Sequence, residues 1–315
     1  MTAALERPTR APRKAVVPVA LLTVTLWAGT VIATKLAVGD MEPLGVALCR
    51  AWLAGLLALP LAVLSLAQRP RGGAAWRGLA ASALGAYVLW PFLLAFGLTM
   101  TSGSHAALIM ASLPILTGLI AVPFDRRWPG GRWWLGCAVA FAGTVWLILG
   151  RGGGGGAGDE GGASVLGDLL VLAGCAAAAF GYVAGARTAG RSSAWQITLW
   201  GLVLAALLLL PGLALVDLSG LLRAGRDAWL GIGYLALISS LLGYALWYWA
   251  LAEGGIARIG SFQFLQPMIS LALAAVILNE TLEPVLLLIA AVILTGVWLA
   301  QGGGRRPNAN PETPR

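Results

Sequence analysis

The sequence predicts an all-α integral membrane protein of ten transmembrane helices, built as two inverted five-helix repeats with the N-terminus and C-terminus both cytoplasmic. Three observations carry this prediction. Of 315 residues, 59% are hydrophobic and only 11% are charged, whereas a soluble domain carries roughly a quarter charged residues. Apolar runs that can cross a hydrocarbon core of about 30 Å, at about 20 residues each, recur near 16–38, 44–66, 78–98, 104–123, 133–150, 166–186, 194–216, 228–250, 257–278 and 284–300. Finally, a constant offset of 153 residues pairs Leu98 with Leu251, Pro114 with Pro267, Gly143 with Gly296 and Trp27 with Phe180 without a gap. Internal repeats of this kind are a common device of transporter folds.

The elements follow in order. Residues 1–15 form a basic cytoplasmic tail, residues 16–150 the first repeat, 151–164 a Gly-rich linker, 165–301 the second repeat and 302–315 a basic disordered tail. The cluster Arg7, Arg10, Arg13 and Lys14 resembles the start of a signal peptide. The run behind it is long enough to span and no small-residue cleavage site follows, so it reads as a retained first helix.

With the N-terminus inside, sixteen Lys and Arg residues fall on the cytoplasmic side. They lie in the two tails and around Arg69–Arg77, Arg126–Arg132, Arg187–Arg191 and Arg258. Only Arg151, Arg223 and Arg226 fall outside. This bias follows the positive-inside rule, so the net charge of +8 reflects orientation in the bilayer and implies no nucleic-acid partner. An odd number of helices per half makes the second repeat enter the membrane upside down, which puts a substrate site at the repeat interface near the midplane.

The first helix carries Thr23, Trp27, Thr30 and Thr34 at spacings of four, three and four, a polar stripe on one helical face. Such hydroxyls either line a cavity or bond backbone and neighbouring helices. Lys35 and Arg50 are the only cations inside predicted spans, and an intramembrane charge is a functional hypothesis by default. Lys35 is near enough to its helix end to snorkel. Arg50 either holds a carboxylate of cargo or pairs with Asp40, Glu42 or Glu280.

Tyr87 and Trp90 in the third span, with Tyr244, Trp247 and Tyr248 in the eighth, recur at helical spacing. They serve either as core packing or as walls of an aromatic cavity suited to amino acids, flat heterocycles or organic cations. Phe180 joins this set as the repeat partner of Trp27. His105 opens the fourth span at the outer side, where it is either an interfacial surface residue or a proton sensor. Pro114 and Pro267 remove amides that would bond the carbonyls of Met110 and Gln263, predicting helix breaks at matching depths. Gln263 and Gln266, on one face with Ser270, carry uncharged amides that must face the bundle interior or a substrate. Helix six contributes Gly181 and Gly185 at a small-xxx-small spacing.

The residues name no cofactor and no metal. The glycine run at 152–156 lacks the Lys-Ser/Thr of a phosphate loop and reads as a linker. Cys49, Cys137 and Cys175 lie in apolar runs and argue for no disulfide. One histidine and no mid-membrane carboxylate give little basis for an intramembrane enzyme.

The WAGTVIATKLA run from Trp27, Pro43 before the second span, Arg50 within it, the stretch FGLTMTSGSHAALIMASLPIL and its counterpart LAEGGIARIGSFQFLQPMISLALAAVILNETL together resemble the EamA-type drug/metabolite transporter superfamily. The resemblance covers about residues 16–300. It implies a ten-helix bundle that moves small metabolites, amino acids or drugs, often outward, by alternating access, from an inner-membrane location. Two departures stand out: the family's usual Trp-Gly pair is Trp-Ala-Gly here, and the acid expected after helix four is Asp125 followed by Arg126 and Arg127. The second half keeps its acid as Glu280 within LNET. The expected partners are a small-molecule substrate and the lipid bilayer, with monomer or homodimer left open. A ligand-binding sensor or scaffold that does not transport is the competing reading.

Overall fold

The structure is a computed structural model that describes residues 13–65, 69–125, 130–149, 164–188, 193–254 and 261–302. Most of both predicted tails, the linker at 151–163 and Arg126, Arg127 and Arg258 lie outside the described residues. Among the described residues there is helix and no strand. The first half consists of α1 (Arg13–Asp40), α2 (Pro43–Leu64), α3 (Gly73–Ser82), α4 (Trp90–Met100), α5 (Gly103–Met110), α6 (Leu113–Asp125) and α7 (Gly131–Leu149). The second half consists of α8 (Val165–Thr188), α9 (Ala194–Leu208), α10 (Leu218–Arg223), α11 (Arg226–Gly233), α12 (Gly243–Gly254), α13 (Leu265–Ile277) and α14 (Pro284–Gly302).

Seven helical stretches are long and apolar enough to cross a membrane, and three shorter apolar helices, Trp195–Leu208, Leu265–Ile277 and Pro284–Ala300, accompany them. A π-helical segment, Ala83–Leu89, joins α3 to α4, and a second, Tyr234–Leu242, joins α11 to α12. Widened turns of this type are rare and concentrate at functional sites.

Several prolines act at helix starts, while Pro18, Pro60 and Pro123 lie inside helices. Pro43 opens α2 and Pro114 sits in the first turn of α6, where a missing amide leaves no bond unmade. Ahead of Pro114 the chain tightens through Ala111 N–H to Leu108 O and Ser112 N–H to Ile109 O. In the second half a short 3₁₀ turn, Ser261–Phe264, precedes α13 and Pro267. At the far end of α13, Asn279 adopts a left-handed φ of 52° while the Glu280 amide bonds back to Ala274 O at 3.4 Å. This six-residue closure is a Schellman-type stop, a position that Asn tolerates, and it aims Glu280 at α5.

Three apolar clusters hold the bundle. The first joins α4 to α8 and to the antiparallel pair of α7 and α14. That pair meets through Gly136 and Gly296, where any side chain would collide with the backbone of Ala300 or Ala140. The second surrounds Trp27, Tyr87, Tyr244 and Trp247. The third joins Ala33 and Met41 of α1 to Ile232 and Leu235. Hydrophobic side chains such as Leu56, Leu64, Leu149, Leu222 and Val276 stay exposed around the outside, as a lipid-facing surface requires.

Candidate functional site: a buried arginine in an aromatic core

The site is assembled where the second π segment passes α1 and α2. Trp27 donates its indole N–H to the Ser239 carbonyl at 2.9 Å, and the Thr30 hydroxyl meets the Ser239 hydroxyl at 2.9 Å. Arg50 donates from Nε to Ser240 Oγ at 3.0 Å and from Nη2 to Ser239 Oγ at 3.3 Å. Tyr244, just beyond the same π segment, donates to the Ala86 carbonyl of the other one at 3.3 Å. The two π segments are thus bridged through carbonyls that receive side-chain donors.

Arg50 is 3% exposed. Among the described residues no carboxylate lies within ion-pair distance of it. Pairing with Asp40, Glu42 or Glu280, the simpler alternative at the level of sequence, is therefore not what the fold provides. Asp40 accepts from the Gly225 amide and Glu280 is committed to α5. The guanidinium carries more donors than its two hydroxyl bonds use. A buried cation without a counter-ion is strongly disfavoured unless something else completes it.

Around it stand aromatic rings. Trp27 lies 5.1 Å from Tyr244 and 5.3 Å from Trp247, and Tyr87 lies 4.7 Å from Tyr244 in an edge-to-face arrangement. Tyr182 and Tyr248 each approach Tyr244 at 6.2 Å. The phenols of Tyr244 and Tyr182 are close enough to the guanidinium to interact with it electrostatically.

The remaining expected site residues are distributed more widely. Thr34 bonds its own backbone at Thr30, so the threonine stripe is only partly available to a ligand. Trp90 and Met110 are buried in the neighbouring cluster with α4, α5 and α8 rather than in the aromatic core. Phe180 faces outward at 42% exposure and lines a cleft of about 380 Å³ against α3. Gln266 reaches the Trp27 carbonyl at 3.5 Å, and Ser270 the Ala28 carbonyl at 2.9 Å, which ties α13 to α1. Gln263 is half-buried, and its amide nitrogen has no partner among the described residues.

At the end of the bundle where α1 finishes, a second polar group closes the α4–α5 corner. Lys35 donates to the carbonyls of Leu98 and Thr101, both at 2.8 Å, and so completes the C-terminus of α4. Glu280 accepts from the Gly103 and Ser104 amides at 2.7 and 2.8 Å and from the Ser104 hydroxyl, completing the N-terminus of α5. His105 Nδ1 meets Asp168 Oδ2 at 2.9 Å, and the Thr101 hydroxyl donates to the other carboxylate oxygen. Instead of lying at an interfacial surface, His105 is bonded to a carboxylate that is 1% exposed.

Sequence reasoning missed Ser239, Ser240 and Tyr182. Two adjacent hydroxyls in an apolar run were the available signal for the serines.

A helical membrane bundle with a counter-ion-free arginine against an aromatic core is the class of protein that carries a polar site inside the bilayer. Comparison with known proteins specifies it further. The EamA-like transporter family model matches residues 14–149 and again 165–301, and the chain belongs to that family. It is 35% identical over 82% of its length to "Uncharacterized transporter YdeK" of Bacillus subtilis (strain 168), covering 86% of that protein. It is 27% identical to "Uncharacterized inner membrane transporter YedA" of Escherichia coli (strain K12), with 88% of each chain covered. A "Probable amino-acid metabolite efflux pump" of Salmonella typhimurium is 26% identical over 91% of this chain and 94% of its own. A solved structure described only as the crystal structure of a protein shares the fold, with a TM-score of 0.60 at 19% identity over 92% of this chain and 97% of that one.

Proposed function

We propose that the protein is an inner-membrane exporter of small organic metabolites that carry a carboxylate on a flat or apolar body, amino acids among them. Residues 16–150 and 165–301 act as two inverted five-helix halves, joined by the linker at 151–164, with both termini cytoplasmic. The three shorter apolar helices complete ten crossings. The halves rock about the aromatic core in alternating access, with Trp27, Tyr87, Tyr244 and Trp247 as walls and Arg50 as the anchor of the carboxylate. The relatives named as transporters support the class, and the one named as an amino-acid metabolite efflux pump supports the cargo and direction.

The observation that carries the cargo reading is Arg50, buried and without a counter-ion among the described residues. A substrate carboxylate supplies the missing charge, and a planar guanidinium binds it through paired N–H donors.

The test is counterflow in liposomes holding purified full-length protein, using labelled phenylalanine, tyrosine and 3-phenylpropionate. The expected result is exchange of at least one of them, with Arg50→Met reducing it by about 30-fold or more, the scale of removing one member of a buried charge pair. Binding without exchange points to the sensor or scaffold reading. Exchange that Arg50→Met leaves intact removes Arg50 from the site.

A further inference from the structure

Three buried hydroxyls next to the aromatic core have no hydrogen-bond partner among the described residues: Ser82 Oγ, Tyr87 Oη and Tyr248 Oη. Ser82 is 0%, Tyr87 3% and Tyr248 7% exposed, so lipid or bulk water does not satisfy them from outside. They come from different elements, the end of α3, the first π segment and α12, yet they converge. A side chain at Gly185 of α8 would place its first carbon 2.8 Å from Ser82 Oγ and 3.2 Å from Tyr248 Oη. The Tyr248 hydroxyl also lies beside those of Ser82 and Tyr87, without an aligned bond to either. Glycine at 185 keeps that spot open to both oxygens.

This cluster is continuous with the aromatic core, because Tyr248 stacks on Tyr244 and Tyr87 meets Tyr244 edge-on. It is also separated from the arginine. Ser240, which holds Arg50, and Tyr248 are just over two helical turns apart on one chain segment, about 12 Å along the axis. One end of the core therefore presents a cation, and the other presents neutral groups that both donate and accept. Native structures leave few buried polar groups unpaired, and an exception calls for an explanation. Two unpaired hydroxyls at one glycine, with a third beside Tyr248, are explained by a ligand group that pairs with them.

We propose that Ser82, Tyr87 and Tyr248 form a polar subsite for a neutral hydrogen-bonding group, such as a phenol, an amide or a heterocyclic N–H, at the end of the cargo remote from Arg50. The cargo orientation rests on the reading of Arg50 as a carboxylate anchor, whereas the preference for a neutral polar group does not. The subsite makes the transporter distinguish molecules of the same size and charge by the presence of that distal group. A site built to bond a hydroxyl rejects the analogue lacking it, since its own groups are then left unpaired.

The test measures binding to purified full-length protein, by calorimetry and thermal shift, of three pairs: tyrosine with phenylalanine, 3-(4-hydroxyphenyl)propionate with 3-phenylpropionate, and tyramine with phenethylamine. The expected result is that the hydroxylated member binds about tenfold tighter in at least one pair, the worth of one well-made hydrogen bond. The Ser82→Ala/Tyr248→Phe double variant should bring that ratio to within about twofold, and so should Gly185→Ala, which fills the space between the hydroxyls. The variants are compared at matched folding, judged by thermal midpoint and size-exclusion profile. Wild-type protein that discriminates within no pair, including by binding none of the six compounds, overturns the proposal. So does a preference that survives both variants. If the preference is lost as expected while Arg50→Met leaves carboxylate affinity unchanged, the subsite stands and the arginine reading fails.

Discussion

The two ends of the bundle treat their polar groups in opposite ways. At the end where α1 finishes, Lys35, Thr101, Ser104, His105, Asp168 and Glu280 all find partners, several of them across the two halves of the chain. Toward the end where α1 begins, the buried atoms Ser82 Oγ, Tyr87 Oη, Gln196 Oε1, Trp200 Nε1, Tyr248 Oη and Gln263 Nε2 have none among the described residues. Unpaired buried groups cost stability, and paired ones lock a geometry. The first end is therefore built to hold shut, and the second is built to meet something polar. Under the orientation and direction proposed above, the locked end would face outward and the needy end the cytoplasm that supplies cargo.

The largest expected effect that sharpens this contrast comes from Glu280→Ala. It strands two amides and a hydroxyl at the start of α5 and should cost about 3 kcal/mol, seen as a lower thermal midpoint and faster cysteine labelling at position 104. Glu280→Gln should recover part of the loss, because an amide oxygen still accepts. Next comes the His105–Asp168 pair. Asp168→Asn should cost about 2 kcal/mol, and a double-mutant cycle with His105→Gln should return a coupling of about 1 kcal/mol. Additive losses there would mean that the pair does not act as a unit.

The opposite end should behave differently. Ser82→Ala, Tyr87→Phe and Tyr248→Phe each remove a hydroxyl that bonds nothing, so folding stability should stay within about 0.5 kcal/mol or rise. Losses as large as those at Glu280 would break the comparison outright. The smallest effect is expected at an exposed cap near the locked end. Asp217 accepts from the Ser219 hydroxyl and amide, which holds its carboxyl below the usual range. A depressed carboxyl supports the fold above its unfolded value and loses that support as pH falls through the lower folded value. Amide exchange in α10 should therefore quicken, relative to the intrinsic rate, only under strongly acidic conditions, and Asp217→Asn should remove that pH step.

Much of this was legible in the sequence. Apolar runs and their flanking charges are local signals, so helical segments fell close to their expected places. The helix in the third span is longer than expected, Gly73–Met100 against 78–98, and the seventh ends its α-helical part at Leu208, before Pro211. Pro114 and Pro267 both fall in the first turn of a helix, α6 and α13, where a missing amide acts on its own backbone. Trp27, Tyr87, Tyr244 and Trp247 share a cluster because helical spacing put each on an inward face. Phe180, Trp90 and Met110 did not join them, since rotation of a helix about its axis is set by neighbours, and a repeat offset does not encode it.

The sequence by itself determined the class: apolar content, span lengths and charge asymmetry depend on composition and local order, and a bilayer reads them directly. Tertiary structure alone decided which polar groups are satisfied. Arg50 has hydroxyls and, among the described residues, no carboxylate around it, Glu280 caps a helix from the other half of the chain, and Ser82 and Tyr248 meet unpaired at one glycine with Tyr87 beside them. A hydrogen bond needs an angle and a distance between residues as many as 242 positions apart, and only the packing of helices against one another supplies them.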